Sequence, residues 1–391
     1  MIALTPKEAA IIAKNVYQVH EGIRWDERLK IMGPDIGLGI EGIFSVTTSS
    51  RFEGTSGVHF VSAETGLGYI ASGIGDRENE VLIAIRGTDN KFDWVTDITQ
   101  TLTRGPSGYA VHAGFAKTFE SFKPALHKCF DKCNLKPTVV HVVGHSLGGP
   151  LATLAADYLS QQSMHIKLYT FGSPRCGSTA YCQYLTKALG AENVYRVHHG
   201  SDPVSMLPIY PFCHVPVATA GYLLPWNSVP VSFSAHMMSN YLASVGDTSW
   251  LGLARSSPDV GWREETESWL KTAASDSGKV QMYSAKALWM IVKCIDWILD
   301  MVGRGVGLLA LAGVTILDRL AQLLFDGSLL ALKISAHVSN LMMVIMRFLG
   351  RTAVKGVNLT VAFIKWVLDL LFRFASTAAQ QALQLAISQA G

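Results

Sequence analysis

A serine between two glycines, Gly144-His145-Ser146-Leu147-Gly148, ends a run rich in β-branched residues and opens an Ala/Leu-rich helical pattern from Pro150 onward. The run is Thr138-Val139-Val140-His141-Val142-Val143. Strand, sharp turn and helix with a serine at the apex is the setting in which a hydroxyl becomes an exposed nucleophile. Such a turn is strained, so Gly144 and Gly148 must lack side chains that would collide with the neighbouring strand and helix. At the helix start, the N–H of Leu147 is free to bond a developing oxyanion.

A serine nucleophile needs a base, and the base needs an orienting acid. In one known chain order the acid and then the histidine follow the serine. Asp202, before Pro203 and just past a strand end, is favoured as the acid. Asp157 lies mid-helix and reads as a surface charge, and Asp259 lies in a polar connection. The histidines after the elbow are His165, His198, His199, His214 and His236. His165 precedes a strand, on the edge of the sheet away from the serine. His198 and His199 adjoin the Asp202 loop, and an acid and base from one short loop have little freedom to meet. His236, in Phe233-Ser234-Ala235-His236-Met237-Met238, sits where a loop enters a helix and is favoured; His214, at a strand edge, is the runner-up. The second oxyanion donor is expected from a loop after an earlier strand, and Arg86-Gly87-Thr88 fits, Thr88 offering both its N–H and its hydroxyl. His145 reads as a packed spacer whose side chain points away from that of Ser146. This chemistry requires no metal or organic cofactor.

The elements that position these residues alternate between strand and helix. Residues 5–20 read as one helix, capped by Thr5 before Pro6. Residues 58–62 and 68–71 read as a strand pair around a Glu64-Thr65-Gly66 turn. Val81-Leu82-Ile83-Ala84-Ile85 is an apolar run of strand length, as expected in a buried parallel sheet. Residues 115–133 repeat at helical spacing through Phe115, Phe119, Phe122, Leu126 and Phe130. Helix 150–162, strand 166–171, helix 178–189 and strand 193–197 follow. This alternation predicts an α/β fold with a mostly parallel sheet, and reactive residues at the C-terminal ends of its strands.

The chain of 391 residues is long enough for two domains, or for one enlarged α/β domain with an appendage. A net charge of +3 gives no reason to expect nucleic acid as a partner. Charged residues are only 16% of the chain, and the apolar excess lies after about residue 285. Cys129 and Cys133 are four apart on the expected helix, with no second pair to complete a zinc set, so free buried thiols are expected.

Taken together, Arg86-Gly87-Thr88, Trp94 and Asp97, Val111-His112-Ala113-Gly114-Phe115, the Ser146 elbow, Phe171-Gly172-Ser173-Pro174-Arg175-Cys176-Gly177 and Asp202-Pro203-Val204 resemble the class 3 lipases in order and spacing. The resemblance covers roughly residues 40–245. It implies an α/β-hydrolase core, a triad of Ser146, Asp202 and His236, an oxyanion role for Thr88, and a lipid or phospholipid ester as substrate. The family often has Asp before its histidine, where this chain has Ala235. The family's short lid helix corresponds to residues 90–95, with Phe92 and Trp94 as its apolar contacts, and such a lid would turn over at a lipid surface.

Domain limits are expected at 1–245 for the hydrolase unit, 246–283 for a polar connection and 284–391 for apolar and amphipathic helices. In that last region Lys and Arg outnumber Asp, which suits an anionic membrane surface. The same helices could instead form a bundle on the core, or a face for a chaperone or immunity protein. The N-terminus lacks the basic and apolar regions of a Sec signal peptide. With the apolar extension, this resembles bacterial lipase effectors of the type VI secretion system and leads to an expectation of a bacterial protein exported by a non-classical route. The alternative function is a membrane-disrupting or binding effector in which ester hydrolysis is secondary.

Overall fold

The computed structural model describes residues 3–19, 38–47, 50–56, 63–87, 101–132, 137–217, 221–225, 231–253, 255, 262–275, 277–302, 315–352 and 358–388. The main strands are β1 (Phe44–Ser45), β2 (Arg51–Ser56), β3 (Ala63–Gly73), β4 (Glu80–Ile85), β7 (Val139–His145), β8 (Ile166–Phe171), β10 (Val194–His199) and β12 (Tyr222–Leu224). They form one sheet in the order β1-β3-β4-β7-β8-β10-β12, with β2 also on β3. From β4 to β12 every pairing is parallel, and β1, β2 and β3 add an antiparallel edge. A small antiparallel sheet of β5 (Leu102–Arg104), β6 (Ala110–His112), β9 (Gly177–Ser178) and β11 (Phe212–Cys213) lies beside it. This is an α/β core built on a mostly parallel sheet.

Side chains alternate across a strand, and here both faces are buried. Val81, Ile83 and Ile85 of β4 join one apolar cluster, while Leu82 and Ala84 join the other. That two-sided burial is why β4 and β7 read as unbroken apolar runs. One face is covered by α1 (Pro6–Asn15) and α5 (Met238–Val245), the other by α2 (Ala113–Lys132), α3 (Gly148–Ser160) and α4 (Thr179–Leu189). Thr5 caps α1 in a capping box with Glu8.

One local reading is corrected. Glu64-Thr65-Gly66 is not a turn but lies inside β3. A Cβ on Gly66 would fall 2.0 Å from the Val19 carbonyl oxygen, so this glycine permits a close approach of the N-terminal segment rather than a reversal. Residues 57–62 lie outside the described residues.

After α5, the short helix Trp250–Leu253 returns to the sheet, where the Trp250 indole packs on Tyr195 and Tyr222 and donates to the Leu4 carbonyl at 2.7 Å. Then come α6 (Trp262–Ala274), α7 (Ala285–Val302), α8 (Ile316–Leu330), α9 (Leu332–Phe348) and α10 (Val361–Ser388). Their buried residues, from Leu270 through Ile295, Leu341 and Leu371 to Leu383, belong to the same apolar cluster as the α2–α4 face of the sheet. The described C-terminal helices thus pack on one another and on the core. No helix among the described residues is long and apolar enough to cross a membrane.

Candidate active site

Ser146 stands between β7 and α3 with φ of 57°, a left-handed conformation that a non-glycine residue holds only under constraint. A Cβ on Gly144 would lie 2.2 Å from the Gly148 carbonyl oxygen, and one on Gly148 would lie 2.2 Å from that of Ile85 in β4. The elbow closes because both positions are bare. Leu147 is the N-cap of α3 and is buried.

The structure brings three of the sequence-selected residues together. Ser146 Oγ is 2.9 Å from His236 Nε2, and His236 Nδ1 is 2.9 Å from Asp202 Oδ2. All three side chains are buried. An ionised Asp202 only accepts, so Nδ1 carries the proton and Nε2 is left to accept from the serine hydroxyl. Burial alone would raise the Asp202 pKa, but the His236 ring, the Tyr241 hydroxyl at 2.7 Å and the Val204 N–H at 2.9 Å outweigh it and hold the carboxyl below its ordinary range. Asp202 lies just beyond β10, Ser146 just beyond β7, and both are at the C-terminal edge of the parallel sheet.

His236 rides on a short turn, Ser234–His236, whose consecutive carbonyls are each taken by a side chain. Asn240 donates to Ser234 at 2.7 Å, His199 to Ala235 at 2.7 Å, and His145 to His236 at 2.9 Å. The ring of His145 also stacks on that of His236, with centroids 4.8 Å apart. Its Nδ1 accepts from the Tyr17 hydroxyl at 2.8 Å, and the same oxygen accepts from the Gly87 N–H at 3.3 Å. His145 is therefore more than a spacer. It joins the elbow, the base-bearing turn and the loop that leads to Thr88. His145 could have been suspected from its place in the elbow, but Tyr17 carries no local signal, being 128 residues away in sequence.

The other sequence candidates sit elsewhere. His214 donates to the Ser205 carbonyl at 2.8 Å, His199 is a holder of the turn, and His165 precedes β8 at the other end of the sheet. Asp157 is not a surface charge: it is fully buried in α3, accepts from Ser107 Oγ at 2.9 Å and the Ser107 N–H at 3.2 Å, and burial pushes its pKa up to about 6. Thr88, Phe92, Trp94 and Asp259 lie outside the described residues. Among the described residues no group of three His, Cys, Asp or Glu side chains is placed to hold a metal ion.

The buried histidines give the fold an acid limit. Burial holds His141, bonded to Glu80 and the Tyr169 hydroxyl, down to about 4, and burial with the neighbouring His236 holds His145 down to about 3. Unfolded histidine takes a proton near 6.5, so each loses about 1.4 kcal/mol of stabilisation per pH unit as pH falls from there toward its folded value. Asp157 acts oppositely between about 6 and its unfolded value of 3.8, but the pair of histidines outweighs it. The melting temperature is expected to drop steadily from pH 6 to pH 4, with a shallower slope in His141→Gln. A flat profile over that range would contradict the assignment.

Comparison with known proteins places this geometry in context. A family model described as Lipase (class 3) matches residues 82–212. A secreted mono- and diacylglycerol lipase of Fusarium solani is 37% identical over 153 residues, which is 38% of this chain and 45% of that protein. A secreted mono- and diacylglycerol lipase of Penicillium cyclopium is 33% identical over 177 residues, 43% of this chain and 55% of that protein. A chloroplastic phospholipase A(1) of Arabidopsis thaliana is 26% identical over 173 residues, 36% of this chain and 38% of that protein. This chain thus spans about half the length of the fungal curated relatives it matches. Among solved structures, a mono- and diacylglycerol lipase from Aspergillus oryzae aligns over 59% of this chain and 82% of its own, at 23% identity and a TM-score of 0.43. These relatives overturn the bacterial source expected from the sequence: the similar lipases are those of Fusarium, Penicillium and Rhizomucor. The apolar helical texture does not identify a source, because it is as suited to packing on a core, as here, as to a lipid surface.

Proposed function

We propose that this chain is a class 3 lipase, on the match of that family model to residues 82–212, and that it hydrolyses the carboxylic esters of acylglycerols or phospholipids at a lipid surface. The observation that carries the reading is the unbroken relay Asp202–His236–Ser146, with both links at 2.9 Å. His236 takes the Ser146 proton as Oγ attacks the ester carbonyl, and Asp202 keeps the imidazole in the accepting tautomer and stabilises the imidazolium. The Leu147 N–H at the start of α3, with Thr88, holds the oxyanion. His236 then protonates the departing alcohol, and water, activated in turn by His236, releases the fatty acid from Ser146.

The names of the relatives support lipid esters as the substrate class, and the geometry of the relay is indifferent to headgroup. Mass spectrometry of products from vesicles that mix diacylglycerol with phospholipid separates the choices: free fatty acid accompanied by monoacylglycerol or by lysophospholipid. Release of fatty acid from neither would end the proposal.

The lipid-surface part rests on the corner between α8 and α9, where Ala331 is extended and Leu329, Leu330 and Leu332 are 69%, 67% and 93% exposed. Lys333 beside them and Lys271 are also solvent-facing, and both pair with Glu267, at 3.3 and 2.8 Å. Three exposed leucines beside the Lys333 ammonium group suit the acyl and headgroup zones of a bilayer. Changing the three leucines to serine is expected to weaken co-sedimentation with anionic vesicles by at least about tenfold, with hydrolysis of a soluble short-chain ester unchanged. Unaltered co-sedimentation would remove this surface from the proposal.

A further inference from the structure

We propose that Tyr283, at the head of the C-terminal helices, is a positioning residue for the histidine turn, so that the helical region is part of the catalytic scaffold. The inference rests on the ester-hydrolase reading of Ser146, Asp202 and His236.

Tyr283 has φ of 57°, the same strained region as Ser146. For a tyrosine this conformation is unfavourable and persists only where the surroundings impose it. The surroundings here are three segments. The Val231 N–H donates to the Tyr283 carbonyl at 3.1 Å, which ties the entry of the His236 loop to the helical region. The Tyr283 N–H donates to the Phe348 carbonyl at the end of α9 at 3.2 Å. Its ring stacks on Phe374 of α10 with centroids 5.1 Å apart, and Phe374 meets Phe348 edge-on at 5.2 Å. One residue past Val231, the Ser232 N–H donates to the Ser201 carbonyl at 2.9 Å, next to Asp202. The α10 helix itself packs against both the Ser234–His236 turn and the Val204–Met206 turn that follows Asp202.

The side chains of His145 and His199, which hold the turn, come from the sheet. Tyr283, through Val231, and α10 add contacts from the helical region. A base on a loop needs both, because its Nε2 must stay within hydrogen-bond reach of Ser146 and a displacement of about 1 Å costs up to about a hundredfold in rate.

The test uses the full-length protein and a soluble organophosphate that phosphorylates an activated serine. Parent protein that reacts, and Ser146→Ala that does not, establish the hydrolase reading independently of Tyr283. Active-site titration then separates the number of sites from the rate per site. Tyr283→Ala and Phe374→Ala are expected to keep a full count of sites and react about tenfold more slowly at each, with kcat reduced, KM little changed and Tyr283→Phe restoring the parent rate. The inference is overturned if the surviving sites of Tyr283→Ala and Phe374→Ala react at the parent rate, whether or not their number falls, since that is the signature of a residue that only stabilises the fold.

Discussion

Replacing Ser146 by alanine is expected to lower kcat on a soluble short-chain ester by at least about 10⁴-fold, because it removes the hydroxyl that His236 is placed to activate. Among the described residues the only hydroxyl bonded to His236 Nε2 is that of Ser146, at 2.9 Å. The fold should survive. The elbow is closed by bare Gly144 and Gly148 and not by the serine side chain, and alanine accepts the φ of 57° no worse than serine does. The cost is one buried imidazole nitrogen left without its donor, about 1–3 kcal/mol. Circular dichroism and a melting curve should therefore show a folded protein a few degrees less stable, beside a rate assay near the uncatalysed baseline. A Ser146→Ala protein that hydrolyses ester at even a tenth of the parent rate would place the nucleophile elsewhere.

That outcome is legible in the sequence because the elbow is a local device. A strand ending in glycines and a helix beginning at once leave few conformations for the residue between them. The parallel strands are legible for a related reason: two-sided burial turns β4 and β7 into continuous apolar runs. Asp202 and His236 are legible only through chain order and their loop settings, since the contact that joins them spans 34 residues.

What the sequence hides is the support around these groups. His199 and His145 look like a poor base and a spacer until the carbonyls of Ala235 and His236 are seen to need donors. Asp157 has the spacing of a mid-helix surface charge, yet α3 is buried all round and the carboxyl finds Ser107 instead of water. The helices after residue 284 expose the deepest ambiguity. An amphipathic pattern specifies that one face must leave water, and it does not specify whether lipid or protein receives it. Here a large part of that apolar face meets the α2–α4 side of the core, while Leu329, Leu330 and Leu332 remain outside.

Asp202→Asn should be nearly as damaging as loss of the serine, by about 10⁴-fold in kcat, though it leaves every heavy atom of the relay in place. The reason is the direction of one hydrogen bond. Asp202 Oδ2 accepts from His236 Nδ1 at 2.9 Å and from the Tyr241 hydroxyl at 2.7 Å, and Oδ1 accepts from the Val204 N–H at 2.9 Å. An asparagine satisfies Val204 with its carbonyl, which turns the amide NH₂ toward His236 and Tyr241. Tyr241 adapts by rotating its hydroxyl. His236 adapts only by giving up the Nδ1 proton and carrying it on Nε2, where it then faces Ser146 as a donor and cannot accept the proton of the attacking hydroxyl. The site also loses the negative charge that stabilises the imidazolium. Substrate binding does not depend on this tautomer, so KM should change little while kcat and the rate of phosphorylation by an organophosphate fall together. Reactivity in Asp202→Asn within about tenfold of the parent would mean that another carboxylate orients His236, and a large rise in KM with kcat preserved would mean that Asp202 shapes the binding site instead of the base.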